Sequence, residues 1–273
     1  EKLDGWRFMM HFGGGLSRPH LVGRRVSDVT GEFSEKGLLV QCLWPSHSRV
    51  RECDYTALDG EIMPPVGADF RDLASILNAS PEISAKTIER LGTPVFRVFD
   101  APIWDGQDWR SAPQNLRRMV TPDIVRWLEH EMICPVESML HGKRARYDEI
   151  VARGGEGLIL KRLGASYGES GAWVKMKRSH ALDVVITDFT EAKFGRTGKY
   201  DGQIGAVVVG VWKVSAGVSR MIKVGQVSGM DDATRLHMSE NQGEWLGAVI
   251  EIFARGWGRS RLRHPRFHRA RPD

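Results

Sequence analysis

The segment KLDGWR at residues 2–7 combines residue types that a nucleophilic amine needs. A lysine attacks phosphorus only as the uncharged amine, which neighbouring cations or removal from water favour. Taken alone, the pattern Lys-x-Asp-Gly is most often a surface turn. The segment therefore indicates phosphoryl chemistry at Lys2 only if other segments supply cations and carboxylates around it.

Later segments carry the residue types that nucleotide chemistry uses. They are DGE at 59–61, FRVFD at 96–100, EGLILK at 156–161 and WVKMK at 173–177. In the last of these, the two-residue period of a strand places Lys175 and Lys177 on one face with Trp173. Two lysines on one face of a partly buried strand are costly unless an anion binds there. An exposed strand edge is the alternative for that segment alone.

In this order, the segments resemble the motifs of the covalent nucleotidyltransferases, which comprise DNA ligases, RNA ligases and mRNA-capping enzymes. Lys2 matches the nucleophile motif, and LSR at 16–18 is similar to the serine–arginine motif that follows it. The matches to the next four motifs are Glu61, Phe99, Glu156 and the pair Lys175/Lys177. The segment RLRHPRFHRARPD at 261–273 resembles the C-terminal ligase motif, an arginine-rich strand that ends in Arg-x-Asp-Lys. The final lysine of that motif has no counterpart after Asp273.

The resemblance implies a role in the reaction with ATP for each matching residue. Lys2 would attack the α-phosphorus and carry AMP as a phosphoramidate. Lys175 and Lys177 would grip the α-phosphate and favour the uncharged Lys2 amine. The nucleotide would be bound by Glu1, by Glu61 and Arg7 at the ribose, and by Phe99 stacked on adenine. Glu156, together with Glu61, would bind the divalent cation, which is expected to be Mg²⁺ with Mn²⁺ as the alternative.

The resemblance also implies residues that act on the leaving group and on DNA. Arg271 and Asp273 would orient the pyrophosphate. Arg18 would bind the 5′-phosphate of the nick, and Arg263 and Arg266 would bind the DNA. The expected partner is nicked double-stranded DNA, bound by a monomer.

The charge distribution agrees with an anionic partner. The formal net charge is +5 and the sequence pI is about 9.2. From Arg255 to Asp273 there are seven arginines and one acid, interleaved with Trp257 and Phe267. Planar guanidiniums suit phosphate contacts, so this stretch favours nucleic-acid binding.

Apolar patterning predicts an α+β part followed by an all-β part. Strands are predicted at 6–12, 38–43, 95–100, 157–162, 172–177, 182–189, 204–212, 221–226 and 248–254. Helices are predicted at 69–78, at 123–132 with Pro122 at its start, at 142–153 and at 231–238. We expect an ATP-grasp-like adenylyltransferase domain over 1–179 and a small all-β OB-fold domain over 180–273, with a hinge at 178–182.

Other features bound the class of protein. No apolar run approaches the ~18 residues of a membrane span, so no membrane partner is expected. The cysteines Cys42, Cys53 and Cys134 form no CxxC pair, which disfavours a disulfide framework or a zinc site. A reduced compartment is expected, cytoplasmic in a bacterium or virus-infected cell and nuclear in a eukaryote. Neither a methionine start nor an apolar leader precedes Lys2, which suggests that upstream residues exist.

Three alternatives remain open at this point. An RNA ligase or a capping guanylyltransferase would share the motifs, although the segments at 198–210 and 264–269 resemble DNA ligases more closely. An NAD-dependent ligase is disfavoured because it would need further domains and a cysteine zinc module. An inactive DNA-binding remnant is disfavoured because Lys2, Glu156, Lys175 and Lys177 are all present.

Overall fold

The computed structural model describes residues 1–26, 31–192, 200–258 and 260–271. The chain divides into two compact units, Glu1–Met176 and Lys177–Asp273, so the division lies three residues before the expected boundary. In the described residues of the first unit, the strands are β1 (Trp6–Phe12), β2 (His20–Val26), β3 (Phe33–Glu35), β4 (Thr56–Met63), β5 (Val95–Trp104), β6 (Gln107–Asp108), β7 (Ile133–Pro135), β8 (Gly157–Lys161) and β9 (Trp173–Lys177), whose last residue falls in the second unit. The helices there are α1 (His47–Glu52), α2 (Phe70–Leu77), α3 (Pro81–Leu91), α4 (Gln114–Trp127) and α5 (Lys143–Ala152).

The large sheet of the first unit has the strand order β3-β2-β1-β4-β5-β6, and β7 pairs in parallel with β5. In β1, Phe8, Met10 and Phe12 are buried, while the intervening residues point to the other face. Arg7 lies directly opposite Glu61 of β4, with Asp59 two residues away on the same face. The alternation therefore places an apolar core on one face and charged side chains on the other.

The core of the first unit lies between the apolar face of this sheet and the helices. It contains residues from β1, β4, β5, α2 and α4, among them Phe8, Ile62, Leu73, Phe96 and Ile124. Each such side chain contributes about 1.5–3 kcal/mol on full burial. The core thereby fixes the strands that carry the charged face.

The prediction of a strand at 38–43 is wrong. Residues Gly37–Leu39 and Gln41–Leu43 form two 3₁₀ turns. Gly37, Val40 and Leu43 are buried, which is a spacing of three rather than two. The Gly37 N–H donates to the Glu35 carboxylate, and the Trp44 indole N–H donates to the Gly37 carbonyl, so local contacts curl the segment.

The helix expected at 123–132 begins earlier and ends earlier than predicted. It is α4, Gln114–Trp127, and Pro122 lies inside it rather than at its start. The N–H groups of Gln114 and Asn115 donate to the carbonyls of Ala165 and Leu163, at 2.9 Å each. These distant carbonyls replace the local side-chain cap on which a sequence-based start would depend. The helices expected at 69–78 and 142–153 are confirmed as α2 and α5.

The second unit contains one antiparallel sheet and short helices in its described residues. The strands are β10 (His180–Glu191), β11 (Ile204–Ser215), β12 (Val218–Val227), β13 (Val249–Ala254) and β14 (Arg266–Ala270), and the helices are α6 (Asp232–Glu240) and α7 (Gln242–Trp245). The strand order is β12-β11-β10-β13-β14. A parallel bridge joins Ser228, the residue directly after β12, to Arg266 at the start of β14, and the Phe267 N–H donates to the Ser228 carbonyl at 3.0 Å. The sheet therefore curls towards closure around an aliphatic core that includes Val209, Val224 and Ile252.

No helix in the described ranges is both long enough and apolar enough to cross a bilayer.

Candidate active site

A cleft of about 590 Å³ lies in the first unit. The predicted site residues that line it are Glu1, Lys2, Arg7, Glu61, Phe99 and Lys175. They come from the chain start and from β1, β4, β5 and β9. Folding thus brings residues from both ends of the first unit to one cavity.

Lys2 is held at this cleft by backbone and side-chain hydrogen bonds. Its backbone N–H donates to the Gly157 carbonyl at 2.7 Å, which places it beside the start of β8. Its Nζ donates to the Leu3 carbonyl at 3.2 Å and to Oε2 of Glu156. The Lys2 and Glu156 side chains are only 16% and 17% exposed. The amine is therefore partly removed from water and ion-paired with a carboxylate.

Glu61 is positioned by the glycine of the KLDGWR segment. The Gly5 N–H donates to Oε1 of Glu61 at 3.2 Å. A Cβ on residue 5 would lie 2.3 Å from the Ile62 carbonyl oxygen, so only glycine permits this approach. Burial raises the pKa of Glu61, and the Gly5 hydrogen bond and the charge of Lys2 oppose that rise. The negative charge of Glu156 also raises the pKa of Glu61, so both carboxylates lie near the lysine.

Arg7 is fixed by a buried carboxylate. Its Nε donates to Oδ1 of Asp59 at 2.9 Å, and its Nη2 donates to Oδ2 of the same residue. The Tyr167 hydroxyl also donates to Asp59 Oδ2, at 2.7 Å. Burial raises the pKa of Asp59, while the hydrogen bonds and the charge of Arg7 oppose it. The bidentate geometry fixes the guanidinium plane at the cleft wall.

Two aromatic rings, Phe99 and Trp173, lie beside Arg7 in this wall, together with a second cation, Lys161. The Phe99 and Trp173 rings meet edge to face, with centroids 5.4 Å apart and an interplanar angle of 83°. The Arg7 guanidinium lies 5.3 Å from the Phe99 centroid and 5.2 Å from the Trp173 centroid. Lys161 Nζ lies 5.0 Å and 4.0 Å from the same two centroids. Cation–π attraction therefore restrains both rings.

Lys161 was not among the predicted site residues. It lines the cleft, and its Nζ donates to the Phe99 carbonyl at 2.8 Å. Burial lowers the pKa of Lys161 to about 8, against the opposing charges of Asp100 and Asp59. The sequence signal is the segment EGLILK at 156–161, an apolar strand that ends with a lysine. Asp59, Tyr167 and Trp173 were missed as site residues because their roles depend on contacts between strands and loops far apart in sequence.

A buried ion pair supports the wall from behind. Arg117 of α4 donates from Nε to Asp100 Oδ1 at 2.9 Å and from Nη2 to Asp100 Oδ2 at 3.3 Å. Both side chains have no exposed surface. Arg117 also donates to Gln114 Oε1 at 3.0 Å. Because Asp100 follows Phe99 directly, this pair fixes the middle of β5, which carries the Phe99 ring.

Several predicted residues do not line the cleft. Arg18 pairs with Glu35 at 3.3 Å, and Lys177 ends β9 as a half-buried residue of the second unit. Also in that unit, Arg271 Nε donates to Asp183 Oδ1 at 3.0 Å, while Arg263 and Arg266 are exposed. Asp273 lies outside the described residues. These residues remain predictions for the leaving group and for DNA.

A divalent cation has two candidate ligands: Glu61, which lines the cleft, and Glu156, which does not line it but is ion-paired with Lys2. Within the ranges that the structure describes, no group of three or more His, Cys, Asp or Glu side chains is placed to hold a metal ion. Mg²⁺ at phosphate-transfer sites is usually held by one or two carboxylates together with substrate phosphates. The two glutamates beside Lys2 fit that donor set.

Comparison with known proteins identifies the family of the chain. The family model described as "ATP dependent DNA ligase domain" matches residues 1–177. The "Probable DNA ligase" of Streptomyces griseus is 31% identical over 216 residues, which cover 73% of this chain and 39% of that protein. The "Probable DNA ligase" of Nocardia farcinica is 28% identical over 310 residues, which cover the whole chain and 57% of that protein. The chain thus spans about two fifths to three fifths of these curated relatives.

Solved structures share the fold at low sequence identity. The structure named "Pmar-Lig_PreS3" superposes with a TM-score of 0.68 and 20% identity, over all of this chain and 62% of that one. A structure from a study of Lig E DNA ligases gives a TM-score of 0.62 and 18% identity, over 99% of this chain and 91% of that one. The family model covers well over half of the residues and includes the segments that form the cleft. The chain therefore belongs to the ATP-dependent DNA ligase domain family.

Proposed function

We propose that this chain is the catalytic core of an ATP-dependent DNA ligase that seals nicks in duplex DNA as a monomer. Lys2 Nζ attacks the α-phosphorus of ATP, the bond to pyrophosphate breaks, and AMP remains on the amine. The AMP then passes to the 5′-phosphate at the nick. The 3′-hydroxyl attacks that phosphate, releases AMP and closes the strand.

The observation that carries the proposal is the placement of Lys2 in the cleft beside Glu156. The contact with Glu156 places the Lys2 nitrogen at the wall of a cavity large enough for a nucleotide. A proton must leave this nitrogen before it can attack phosphorus. Lys175, which lines the same cleft, supplies a cation for the phosphate on which negative charge accumulates.

The aromatic wall supports recognition of the base. Phe99 offers a flat apolar face, and Trp173 and Lys161 restrain its ring. Arg7 and Glu61, direct partners across β1 and β4, are proposed to bind the ribose. The Asp59 and Tyr167 hydrogen bonds prevent Arg7 from swinging away from that position.

Glu156 and Glu61 are the residues that would hold Mg²⁺, with Mn²⁺ as the alternative. The cation would supply neutralisation of the phosphate charge. Glu156 is also the acceptor for Lys2, so the same carboxylate positions the nucleophile.

The second unit is proposed to be an OB-fold that binds DNA. Its strands β10, β11 and β12 follow one another in hairpins, and β13 returns to lie beside β10, which is a Greek-key order. The Ser228–Arg266 bridge between the end of β12 and the start of β14 supports a partly closed barrel. Arg263 and Arg266 are exposed there and are proposed to contact DNA, as is Arg18 of the first unit.

The test is incubation with α-labelled ATP and Mg²⁺, followed by a nick-sealing assay. We expect an acid-labile, alkali-stable label on the wild-type protein and on Lys86→Ala, a control at an exposed residue of α3, but none on Lys2→Ala. We also expect sealing of DNA nicks. DNA binding without any label would favour an inactive binding module. Labelling by GTP in preference to ATP would favour a guanylyltransferase, and sealing of RNA strands alone would overturn the DNA assignment.

A further inference from the structure

A two-stranded arm, Trp212–Lys223, forms the outer half of the β11–β12 hairpin in the second unit. Every residue of the arm except Met221 is exposed, on both faces of the ribbon. Ala216 and Gly217 both have positive φ angles, 50° and 75°, as the tight turn of a twisted hairpin requires. The arm is therefore a defined ribbon, although almost none of its surface is buried.

The charge on the arm is of one sign. Residues 212–223 contain Lys213, Arg220 and Lys223 and no acid. Lys213 lies directly opposite Arg220 in the register of the two strands. Like charges in directly opposed positions destabilise a strand pair. An anion bound between them would remove that cost.

Neighbouring side chains leave this pair unneutralised. Lys223 lies 3.9 Å from the Asp188 carboxylate. In the part of the chain that the structure describes, no carboxylate lies within ion-pair distance of Lys213 or Arg220. Lysines on an exposed edge strand can also serve to prevent edge-to-edge pairing. Both strands of the ribbon are edges here, because β10 pairs with β11 only up to Gly210, and protecting the edges does not require the two cations to lie directly opposite each other.

We propose that the arm contacts the sugar–phosphate backbone of duplex DNA, with Lys213 and Arg220 on phosphates. The identity of the polyanion rests on the proposed ligase function. Cationic side chains supply most of the sequence-independent affinity for DNA, and a two-stranded ribbon has a width that the major groove admits. The opposite face of the arm carries Trp212 and Val214, which are 64% and 68% exposed. An apolar protein partner on that face is the competing possibility, and the experiment separates it.

The experiment measures the binding of a fluorescent duplex, nicked or intact, to the full chain by anisotropy between 50 and 200 mM salt. The variants are Lys213→Gln, Arg220→Gln, the double variant, Trp212→Ser and the control Lys86→Gln. Each phosphate contact contributes about 0.9 to the slope of log affinity against log salt, so the double variant should lose about 1.8 from the slope. The wild-type affinity should then fall about tenfold more than that of the double variant over this salt range. The loss should be the same on duplexes of different sequence, and Lys86→Gln should match the wild type.

Three parallel measurements decide between explanations. The Lys2 label from ATP should form at the wild-type level in the double variant. If the wild-type protein takes no label, the ligase assignment is contradicted, while the measured salt slope is unaffected. The midpoint of thermal unfolding should stay the same or rise in the arm variants, and a fall would show that the pair serves the fold and overturn the proposal. An unchanged salt slope in the double variant would also overturn the proposal. So would the combination of two results: self-association of the chain that Trp212→Ser abolishes, and a DNA affinity that neither Lys213→Gln nor Arg220→Gln lowers.

Discussion

The amine of Lys2 is bound by the carboxylate of Glu156, a residue 154 positions further along the chain. The contact depends on the backbone hydrogen bond from Lys2 to Gly157, which aligns the start of the chain with the start of β8. The proposed nucleophile is thus positioned by a strand that is remote in sequence. Its reactivity should respond to changes in that strand.

Substitution Glu156→Gln should strongly impair formation of the label on Lys2. The amide keeps the shape of the side chain but removes the negative charge that pairs with Lys2 and the proposed cation ligand. Loss of a single preorganised electrostatic group typically costs about a hundredfold in rate, so we expect a reduction of that order. The rate of labelling by α-labelled ATP measures it. Glu89→Gln on the exposed face of α3 is the control, and labelling of Glu156→Gln at the control rate would refute the role of Glu156.

Substitution Phe99→Ala should weaken ATP binding more than it slows chemistry. Base–aromatic stacking contributes about 1–3 kcal/mol, so the KM for ATP in the labelling reaction should rise by about 5- to 150-fold. The maximal rate at saturating ATP should change much less. Phe99→Tyr keeps the ring and should stay near wild type. An equal KM in Phe99→Ala would exclude stacking on this ring.

Lys161 gives the stability of the protein a pH dependence of known sign. Burial lowers the pKa of Lys161 from the ordinary 10.5 to about 8. Between these values the unfolded chain binds more protons at this site than the folded protein does, so stability rises with pH. The free energy of unfolding of the wild type, relative to Lys161→Met, should therefore increase between about pH 8 and 10.5, by up to about 1.4 kcal/mol per pH unit.

Urea unfolding of the two proteins at pH 7, 8, 9 and 10 provides the measurement. The same substitution at the exposed residue Lys86 serves as the control, and its difference from wild type should not vary in this window. If the difference in free energy of unfolding between the wild type and Lys161→Met also stays constant from pH 8 to 10, the Lys161 ammonium is not buried as described.

The Asp100–Arg117 pair should be essential to the stability of the first unit. Removing one partner leaves the other charge buried and unpaired, which typically costs about 3–5 kcal/mol. Arg117→Met should therefore lower the free energy of unfolding by about that amount in urea titrations. Arg126→Met, at an exposed pair with Asp123 on the same helix, should have little effect. Similar urea midpoints for the two variants would be inconsistent with the buried pair.

The elements with simple periodic patterns were predictable from the sequence. In β1, alternation over residues 6–12 was enough to place Phe8 and Met10 in the core and Arg7 on the opposite face. The helix α2 also follows its predicted span, because Asp69 caps it locally and Asp72 completes a capping box.

Elements that depend on distant partners could not be bounded in this way. The start of α4 is satisfied by the carbonyls of Ala165 and Leu163, so Pro122, which looked like a start signal, is an interior residue. The segment at 37–43 is apolar enough for a strand, but its burial repeats every three residues because of contacts with Glu35 and Trp44.

Only those residues of the site that match family motifs could be predicted from the sequence. Lys2, Glu61 and Phe99 were found by resemblance, and they line one cleft. Asp59, the buried carboxylate that fixes Arg7, could be found only from the register of β1 on β4. Lys161, the cation beside Phe99, could be found only from the placement of β8. Such supporting residues are defined by packing rather than by spacing along the chain.

Peptide mass mapping of the protein after incubation with ATP and Mg²⁺ tests the central claim most directly. We expect one added AMP on the peptide that contains Lys2, and we expect nicked duplex DNA to remove it in a chase. An AMP on another cleft lysine such as Lys175, or nick closure with no AMP on the protein at any time, would contradict the account.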